Sequence, residues 1–197
     1  MRIVNKLVEL RTNYKDESIK HDNGAILIEP SDVPKCRHML FPGLKKNDID
    51  KYLVENYNNP FPREYAEFLQ VFNGANLCSV RIKVKAANTY FAESLLTIYG
   101  VPRTKPFNRP TDMEEPFDVR VEDLARNKKI PNTWLKCAAY DEVPKFDRVD
   151  VFIDTSSGAI YACYKNEFEI LREWDNLDEC LCDLFDELSI MPLEYEL

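Results

Sequence analysis

The sequence predicts an α+β fold, in which a mixed, largely antiparallel sheet is flanked by helices. Two amphipathic helical segments occupy residues 47–57 and 62–74, and short β-rich segments separated by turn residues fill 134–165. A further amphipathic helix at 177–188 closes the pattern. The order is helices, strand, helix, antiparallel meander and helix, which indicates an α+β domain.

The length and composition indicate one globular domain with additions at both ends. The chain has 197 residues, 45% of them hydrophobic, which is enough for a substantial core. We assign 46–190 to this domain, 1–45 to an N-terminal arm or added edge element, and 191–197 to a C-terminal tail. Within 1–45, only GAILIEP at 24–30 has the pattern of a strand.

The first helix of the domain is predicted by a cap and an apolar face. Asn47 or Asp48 can cap a helix that extends to about Tyr57. Its apolar face consists of Ile49, Tyr52 and Leu53.

The second helix has the clearest pattern in the chain. Pro62 suits its first turn, because proline has a fixed φ and no N–H to leave unpaired. Asn73 and Gly74 are predicted to form the left-handed turn that ends it. A single apolar stripe at helical spacing is formed by Tyr65, Phe68, Leu69 and Phe72.

The middle of the chain is predicted to hold a strand, a loop and a short helix. The segment 93–100 has the composition of a strand that ends at Gly100. Four prolines between 101 and 116 predict a surface loop, and 119–127 is predicted to be helical.

An antiparallel meander and a closing helix are predicted for the C-terminal part. Strands are expected at 134–140, 147–155 and 159–165, with a fourth in FEILREW at 168–174. A tight turn at 156–158 joins the second and third strands, because Gly158 supplies a positive φ. Asp175 or Asn176 caps the last helix, whose apolar face consists of Leu177, Leu181, Leu184, Phe185 and Leu188.

Charge is distributed unevenly along the chain. The net charge is −8, and residues 167–197 hold eleven acids and one base, Arg172. A nucleic-acid binder needs a basic surface, so the composition argues against direct nucleic-acid binding. The acidic region would suit a basic protein partner, and the alternative is that it is only a solvated helix surface. Neither a membrane-spanning apolar run nor an export signal is found, so we expect a cytoplasmic protein without a membrane partner.

The six cysteines are expected to be free and reduced. No CxxC spacing occurs, and nothing in the sequence completes the half-site that Cys36 and His38 could offer a metal. We therefore expect no metal and no cofactor. Cys78, Cys137 and Cys163 lie in apolar strand-like segments and are interpreted as small core residues.

No catalytic residues are identified, and the chain is predicted not to be an enzyme. It lacks the nucleophile-elbow, phosphate-loop, dinucleotide-binding and zinc-protease motifs. The best acidic cluster, Asp147, Asp150 and Asp154, is interpreted as a solvated hairpin edge, with Asp154 capping the turn. Carboxylates are numerous, so an acid–base pair among them remains an alternative.

An ordered set of residues resembles the SMI1/KNR4 superfamily, also called SUKH, over about 40–190. The helix, cap and strand of FPREYAEFLQVFNGANL and SLLTIYG carry this resemblance, together with the later hairpin. One departure is AAYDEVPKFDR at 138–148, where family members often have a Gly- and Asp-rich segment. The matching residues are Pro62, Tyr65, Phe68, Leu69, Asn73, Gly74, Leu96, Tyr99, Gly100, Trp134, Asp154, Gly158, Ile160, Tyr161 and Trp174.

The resemblance implies a non-enzymatic SMI1/KNR4-like fold and a protein-binding function. Many bacterial members are similar to immunity proteins that neutralise polymorphic toxins, often nucleases, whereas fungal relatives act as scaffolds in cell-wall signalling. The acidic C-terminal region favours the first function, because a nuclease is basic where it holds phosphates. The alternative is a scaffold or regulatory module with another partner.

The acidic C-terminal region also supplies the candidate partner-binding residues. Positions 178, 179, 182, 183, 186 and 187 are expected to form one outward arc of the last helix, opposite its leucine stripe. The candidates are Glu173, Asp175, Asp178, Glu179, Asp183, Asp186 and Glu187.

Overall fold

The computed structural model describes residues 1–31, 37–56, 62–84, 89–101, 130–131, 133–143, 145, 147–164, 169–190 and 194–196. The predicted helix at 119–127, the predicted loop from residue 102 onward and Cys36 lie outside these residues. The predicted α+β fold with a largely antiparallel sheet is confirmed.

Four α-helices and ten strands occur in the described part of the chain. The helices are α1 (Arg2–Asn13), α2 (Lys46–Asn56), α3 (Arg63–Val71) and α4 (Leu177–Ser189). The strands are β1 (Ser18–Lys20), β2 (Ile26–Ile28), β3 (Arg37–Pro42), β4 (Phe72–Val84), β5 (Thr89–Ile98), β6 (Trp134–Glu142), β7 (Asp147–Asp154), β8 (Ile160–Tyr164), β9 (Ile170–Trp174) and β10 (Glu194–Glu196). None of these helices has the length and apolar character needed to cross a membrane.

The strands form one open sheet. Strands β1 to β9 lie in chain order, and each described neighbouring pair is antiparallel. Strand β10 pairs in parallel with the end of β4, where Tyr195 lies opposite Ile82. Short connections join most consecutive strands, but α2 and α3 lie between β3 and β4, and residues 99–133 lie between β5 and β6.

All four helices contribute to one apolar cluster on one side of the sheet, which we call the helix face. Ile3 of α1, Phe68 of α3 and Leu181 of α4 are fully buried in this cluster. Strand β7 shows how the two sheet faces differ. Val149 and Val151 join the cluster. The residues that alternate with them along β7 lie on the other side of the sheet, which we call the opposite face.

The end of α3 differs from the prediction. Gly74 has the predicted positive φ, +89°, but the helix already ends at Val71 and Gly74 lies within β4. Phe72 is extended and pairs with Pro42 of β3. The predicted helix-ending turn is therefore wrong, because pairing with the neighbouring strand takes up the backbone directly after α3.

Residues 1–45 supply more secondary structure than the sequence predicts. The strand expected at 24–30 is confirmed as β2, but α1 and β3 were not predicted. Helix α1 buries only Ile3 and Leu7, and its N-terminus has no side-chain cap from the preceding residue. Its stability depends on α4, which lies at the far end of the sequence.

The predicted C-terminal hairpin and closing helix are confirmed. Gly158 has a φ of +84°, and the Asp154 carboxylate accepts a hydrogen bond from the Ser156 N–H at 2.9 Å. FEILREW supplies β9, and α4 begins at Leu177 directly after the capping Asn176.

Candidate protein-binding surface

Helix α4 carries most of the candidate acidic residues. Asn176 caps its first turn by accepting a hydrogen bond from the Glu179 N–H at 2.9 Å. Glu64 of α3 accepts another from the Leu177 N–H at 3.0 Å. These caps fix the start of α4 against α3 and satisfy two of its free N–H groups. The apolar stripe that faces the core is buried and comprises Leu177, Leu181, Leu184 and Leu188.

One flank of α4 packs against α1. The Asp178 carboxylate accepts hydrogen bonds from the N–H groups of Arg2 and Ile3 at 2.8 and 2.9 Å, so it caps α1. Asp186 accepts a hydrogen bond from Lys6 Nζ at 2.6 Å. Partial burial acts to raise the pKa of Asp178, but the backbone hydrogen bonds from α1 outweigh it and lower that pKa. Both carboxylates hold the two helices together.

The other flank of α4 faces β9. Glu187 accepts a hydrogen bond from Arg172 Nη1 at 2.7 Å. Asp183 accepts one from Trp174 Nε1 at 3.0 Å. The Arg172 guanidinium lies 4.8 Å from the centre of the Trp174 ring. The Arg172 cation, the Trp174 ring and the two carboxylates therefore form one group whose charges and hydrogen bonds have partners within the protein.

The prediction that the outward arc of α4 forms a single free surface is therefore wrong. Cys182, which belongs to that arc, is only 4% exposed. It lies between Asp178 and Asp186, both of which contact α1. The helical spacing was correct, but α1 was not predicted, and it occupies one side of the arc.

The remaining candidate acids lie at the junction of β9 and α4. Glu173 and Asp175 are exposed, and Glu179 is half-buried. Among the residues that the structure describes, these three carboxylates form no ion pair. Glu173 is the Cα partner of Tyr161 in β8, so it lies on the opposite face, away from α4.

Three aromatic residues accompany Glu173 on the opposite face. The rings of Trp134 and Tyr161 are stacked, with centroids 4.4 Å apart and planes 7° from parallel. Both are half-buried, whereas Phe152, whose ring centroid is 5.8 Å from that of Trp134, is 1% exposed. The sequence predicted the three strands but not their register. The alternation of side chains along β6, β7 and β8 could have identified this aromatic group, but only after the strands of the two hairpins had been aligned.

Two ion pairs with buried carboxylates lie on the opposite face. Lys136 Nζ lies 2.7 Å from Asp150 Oδ1, and Arg148 Nη1 lies 2.9 Å from Asp141 Oδ2. Asp150 is 6% exposed, so its interpretation as part of a solvated hairpin edge is wrong. Burial opposes the charge of Lys136, but Tyr99 and Asp150 outweigh it and raise its pKa. For Asp141, burial outweighs Arg148 and raises the pKa.

Four of the residues that carry the family resemblance form a structural joint between α3, β4 and β5, namely Tyr65, Asn73, Tyr99 and Gly100. Tyr65 Oη donates a hydrogen bond to the Tyr99 carbonyl at 2.9 Å. The Asn73 side chain donates to the Val101 carbonyl and accepts from its N–H, both at 2.7 Å. A Cβ at Gly100 would lie 2.2 Å from the Asn73 carbonyl oxygen, so only glycine fits there. These residues explain the fold rather than a binding site.

The described cysteines are buried thiols. Burial raises the pKa of Cys137 to about 12 and that of Cys163 to about 11, which disfavours the reactive thiolate. His38 is buried as well, and its Nδ1 accepts a hydrogen bond from the Cys78 N–H at 3.3 Å. Within the described residues, no three histidine, cysteine or acidic side chains are grouped as a metal site.

Comparison with known proteins assigns the chain to no family. No family model matches it, and no curated protein matches it. The functional argument therefore rests on the residues and the geometry described above.

Proposed function

We propose that this chain is an SMI1/KNR4-like immunity protein that acts in the cytoplasm, where it binds a cognate toxin with a basic surface and neutralises it. The mechanism is protein–protein binding without catalysis. The complex masks the surface that the toxin needs for its own substrate, which suits a nuclease because its phosphate-binding surface is basic.

The observation that carries this proposal is the excess of acid near the C-terminus. Residues 167–197 contain eleven acids and one base, and that base, Arg172, is paired with Glu187. Glu173 and Asp175 are exposed beside it. Arg2 and Lys6 pair with two of these acids, and an excess of acid remains. Such an excess attracts a basic protein over roughly 8–10 Å at physiological salt and raises the association rate.

The polar groups of the opposite face support a binding protein over an enzyme. Lys136 and Asp150 neutralise each other, and so do Arg148 and Asp141. A general acid or base needs a group free to exchange a proton with a substrate. These four side chains are instead engaged in structural ion pairs.

A growth assay tests the proposed function. A toxin domain encoded by a neighbouring gene, where the genome contains one, is expressed in a sensitive host with and without this protein. Growth is expected only when both are present, and the purified proteins are expected to form a complex. If the protein neither restores growth nor binds that toxin, the proposal is wrong and a scaffold with another partner becomes the next candidate.

Association kinetics test the role of charge in this binding. The double variant Glu173→Lys/Asp175→Lys is compared with Glu9→Lys/Asp16→Lys, which changes the net charge equally at exposed positions near the N-terminus. We expect the first variant to slow association at about 0.01 M salt, with a smaller difference at about 0.15 M, because the Debye length falls from about 30 to about 8 Å. Equal rates for both variants would exclude the β9–α4 junction as the attracting surface.

A further inference from the structure

In the described part of the chain, a cation, an aromatic ring and a carboxylate are twice combined in one group. On the helix face, Arg172 lies over the Trp174 ring and pairs with Glu187. On the opposite face, Lys136 Nζ lies 5.2 Å from the centre of the Tyr99 ring and pairs with Asp150. In both groups the cation gains from the ring and from the carboxylate together.

A third group contains aromatic rings and carboxylates but no cation among the described residues. Trp134 and Tyr161 form a stacked, half-buried pair at the surface of the opposite face. Glu173 lies opposite Tyr161 across the β8–β9 pair, and Asp154 lies opposite Trp134 across the β6–β7 pair. An acid therefore occupies the register position beside each ring. The Asp154 carboxylate accepts hydrogen bonds from Ser156 and Ser157, and the nearby Lys136 is already engaged with Asp150, so Glu173 is the acid that remains to pair a cation.

We propose that Trp134 and Tyr161 form the centre of the partner-binding surface and receive an arginine or lysine side chain of a basic protein, with Glu173 pairing its charge. This inference rests on the proposed function and places its interface on the opposite face rather than on α4. We call this group of three residues the aromatic–acid site.

The geometry of the rings suits an interface centre. Parallel stacking and the buried Phe152 beside Trp134 hold the rings in place before binding, so little side-chain entropy is lost on association. Partly exposed tryptophan and tyrosine residues are also the side chains that most often dominate binding energy.

The bordering carboxylates select the class of partner. A cationic side chain gains from the ring faces and from Glu173, whereas the phosphates of a nucleic acid would be repelled by Glu173 and Asp154. An acidic peptide would be repelled in the same way. The surface therefore favours a basic protein over an oligonucleotide that could also stack on the rings.

Nuclear magnetic resonance provides a test that does not require the natural partner. The chain has two tryptophans, and Trp174 is 6% exposed with its Nε1–H bonded to Asp183, so its indole signal serves as an internal reference. The probe is an amidated peptide of alternating arginine and glycine. We expect it to shift the Trp134 indole signal in a saturable manner and to leave that of Trp174 in place. A peptide with glutamate for arginine should shift neither.

Two variants and one control separate specific binding from general attraction. Glu173→Lys and Tyr161→Ser should each weaken the Trp134 response to the peptide, the latter by about 30-fold if the ring is a dominant contact. Glu9→Lys carries the same charge change as Glu173→Lys at an exposed position of α1 and should leave the response intact. Near-ultraviolet circular dichroism checks that each variant is folded.

Failure of the aromatic–acid site can be distinguished from failure of the proposed immunity function. No shift of Trp134, an equal loss with Glu9→Lys, or an equal response to a single-stranded oligonucleotide would overturn the aromatic–acid site. If the toxin binds wild type and Glu173→Lys/Tyr161→Ser equally well, the immunity function stands and this interface is wrong. If the peptide response follows the prediction but the toxin does not bind, the site stands and the immunity function is wrong.

Discussion

The two faces of strand β7 are both buried, but by different chemistry. Val149 and Val151 pack into the apolar cluster beneath the helices. Asp150, between them, points to the opposite face and pairs with Lys136. Each face excludes water, yet one does so with apolar surface and the other with charges that must find partners.

This difference separates the face that mainly stabilises the fold from the face that mainly specifies the strand register. Apolar burial is non-directional, so the helix face tolerates small shifts of its side chains. The ion pairs of the opposite face require a particular register of β6 against β7, because a one-residue slip would leave each charge buried without its partner. The following predictions test this distinction, beginning with the largest effect.

The helix face is tested by removing the buried Phe68 ring of α3. Phe68 is fully buried, so Phe68→Ala should lower the free energy of unfolding by about 3–5 kcal/mol. Denaturant unfolding measures the change. Val71→Ala is the control in the same helix, because Val71 is 43% exposed and its loss should have little effect. An unchanged unfolding midpoint for Phe68→Ala would contradict the proposed core.

The opposite face is tested by removing one member of a buried ion pair. Lys136→Met should destabilise by about 3 kcal/mol, because Asp150 is then left buried and unpaired. The double variant Lys136→Met/Asp150→Leu should recover most of this loss, since no lone charge remains. The exposed pair of Arg63 and Glu67 provides the control, and Arg63→Met should hardly change the midpoint. Equal losses in the single and the double variants would mean that charge pairing is unimportant here.

The contact between the terminal helices is tested through Asp178. Asp178→Ala removes the cap of α1 and should cost about 1 kcal/mol, whereas Asp175→Ala, at an exposed uncapped position, should cost much less. The folded-state pKa of Asp178 lies below its ordinary value of 3.8. Its contribution is therefore fully present above that value and is lost as the pH falls through the folded-state pKa. The difference between wild type and Asp178→Ala should shrink in acid, and a constant difference would exclude the capping role.

The smallest expected effect is that of reducing or chelating agents. The five described cysteines are free and buried, so neither agent should move the unfolding midpoint. In a Cys36→Ser variant, the remaining five thiols should react with a thiol reagent at pH 8 only after unfolding, because burial raises the pKa of Cys137 to about 12. Rapid reaction of any of them in the folded protein would contradict their burial.

Local patterns predicted the elements whose signals are close together in the chain. The stripe of α3, the Asn176 cap of α4 and the Gly158 turn each depend on neighbours within a few residues. Helix α1 was not predicted, although Ile3, Leu7 and Leu10 have the spacing of a helix face. Only its cap is invisible to local patterns, because Asp178 lies 176 residues from Arg2.

The candidate site was predicted only in part for the same reason. The excess of acid near the C-terminus was visible in the composition, and Glu173 was identified as a candidate. Composition could not show that Asp178, Asp183, Asp186 and Glu187 have partners inside the protein. It also could not align Trp134 with Tyr161 on one face.

The amino-acid sequence alone determined the fold class, the apolar stripe of α3 and the net negative charge. Helical periodicity, turn chemistry and net charge are properties of short stretches or of composition, so they can be read without coordinates. The tertiary structure decided which carboxylates stay exposed and which aromatic rings stack beside them. Strand register and helix packing join residues that are far apart in the chain, and a buried charge is satisfied only by the partner that this packing supplies.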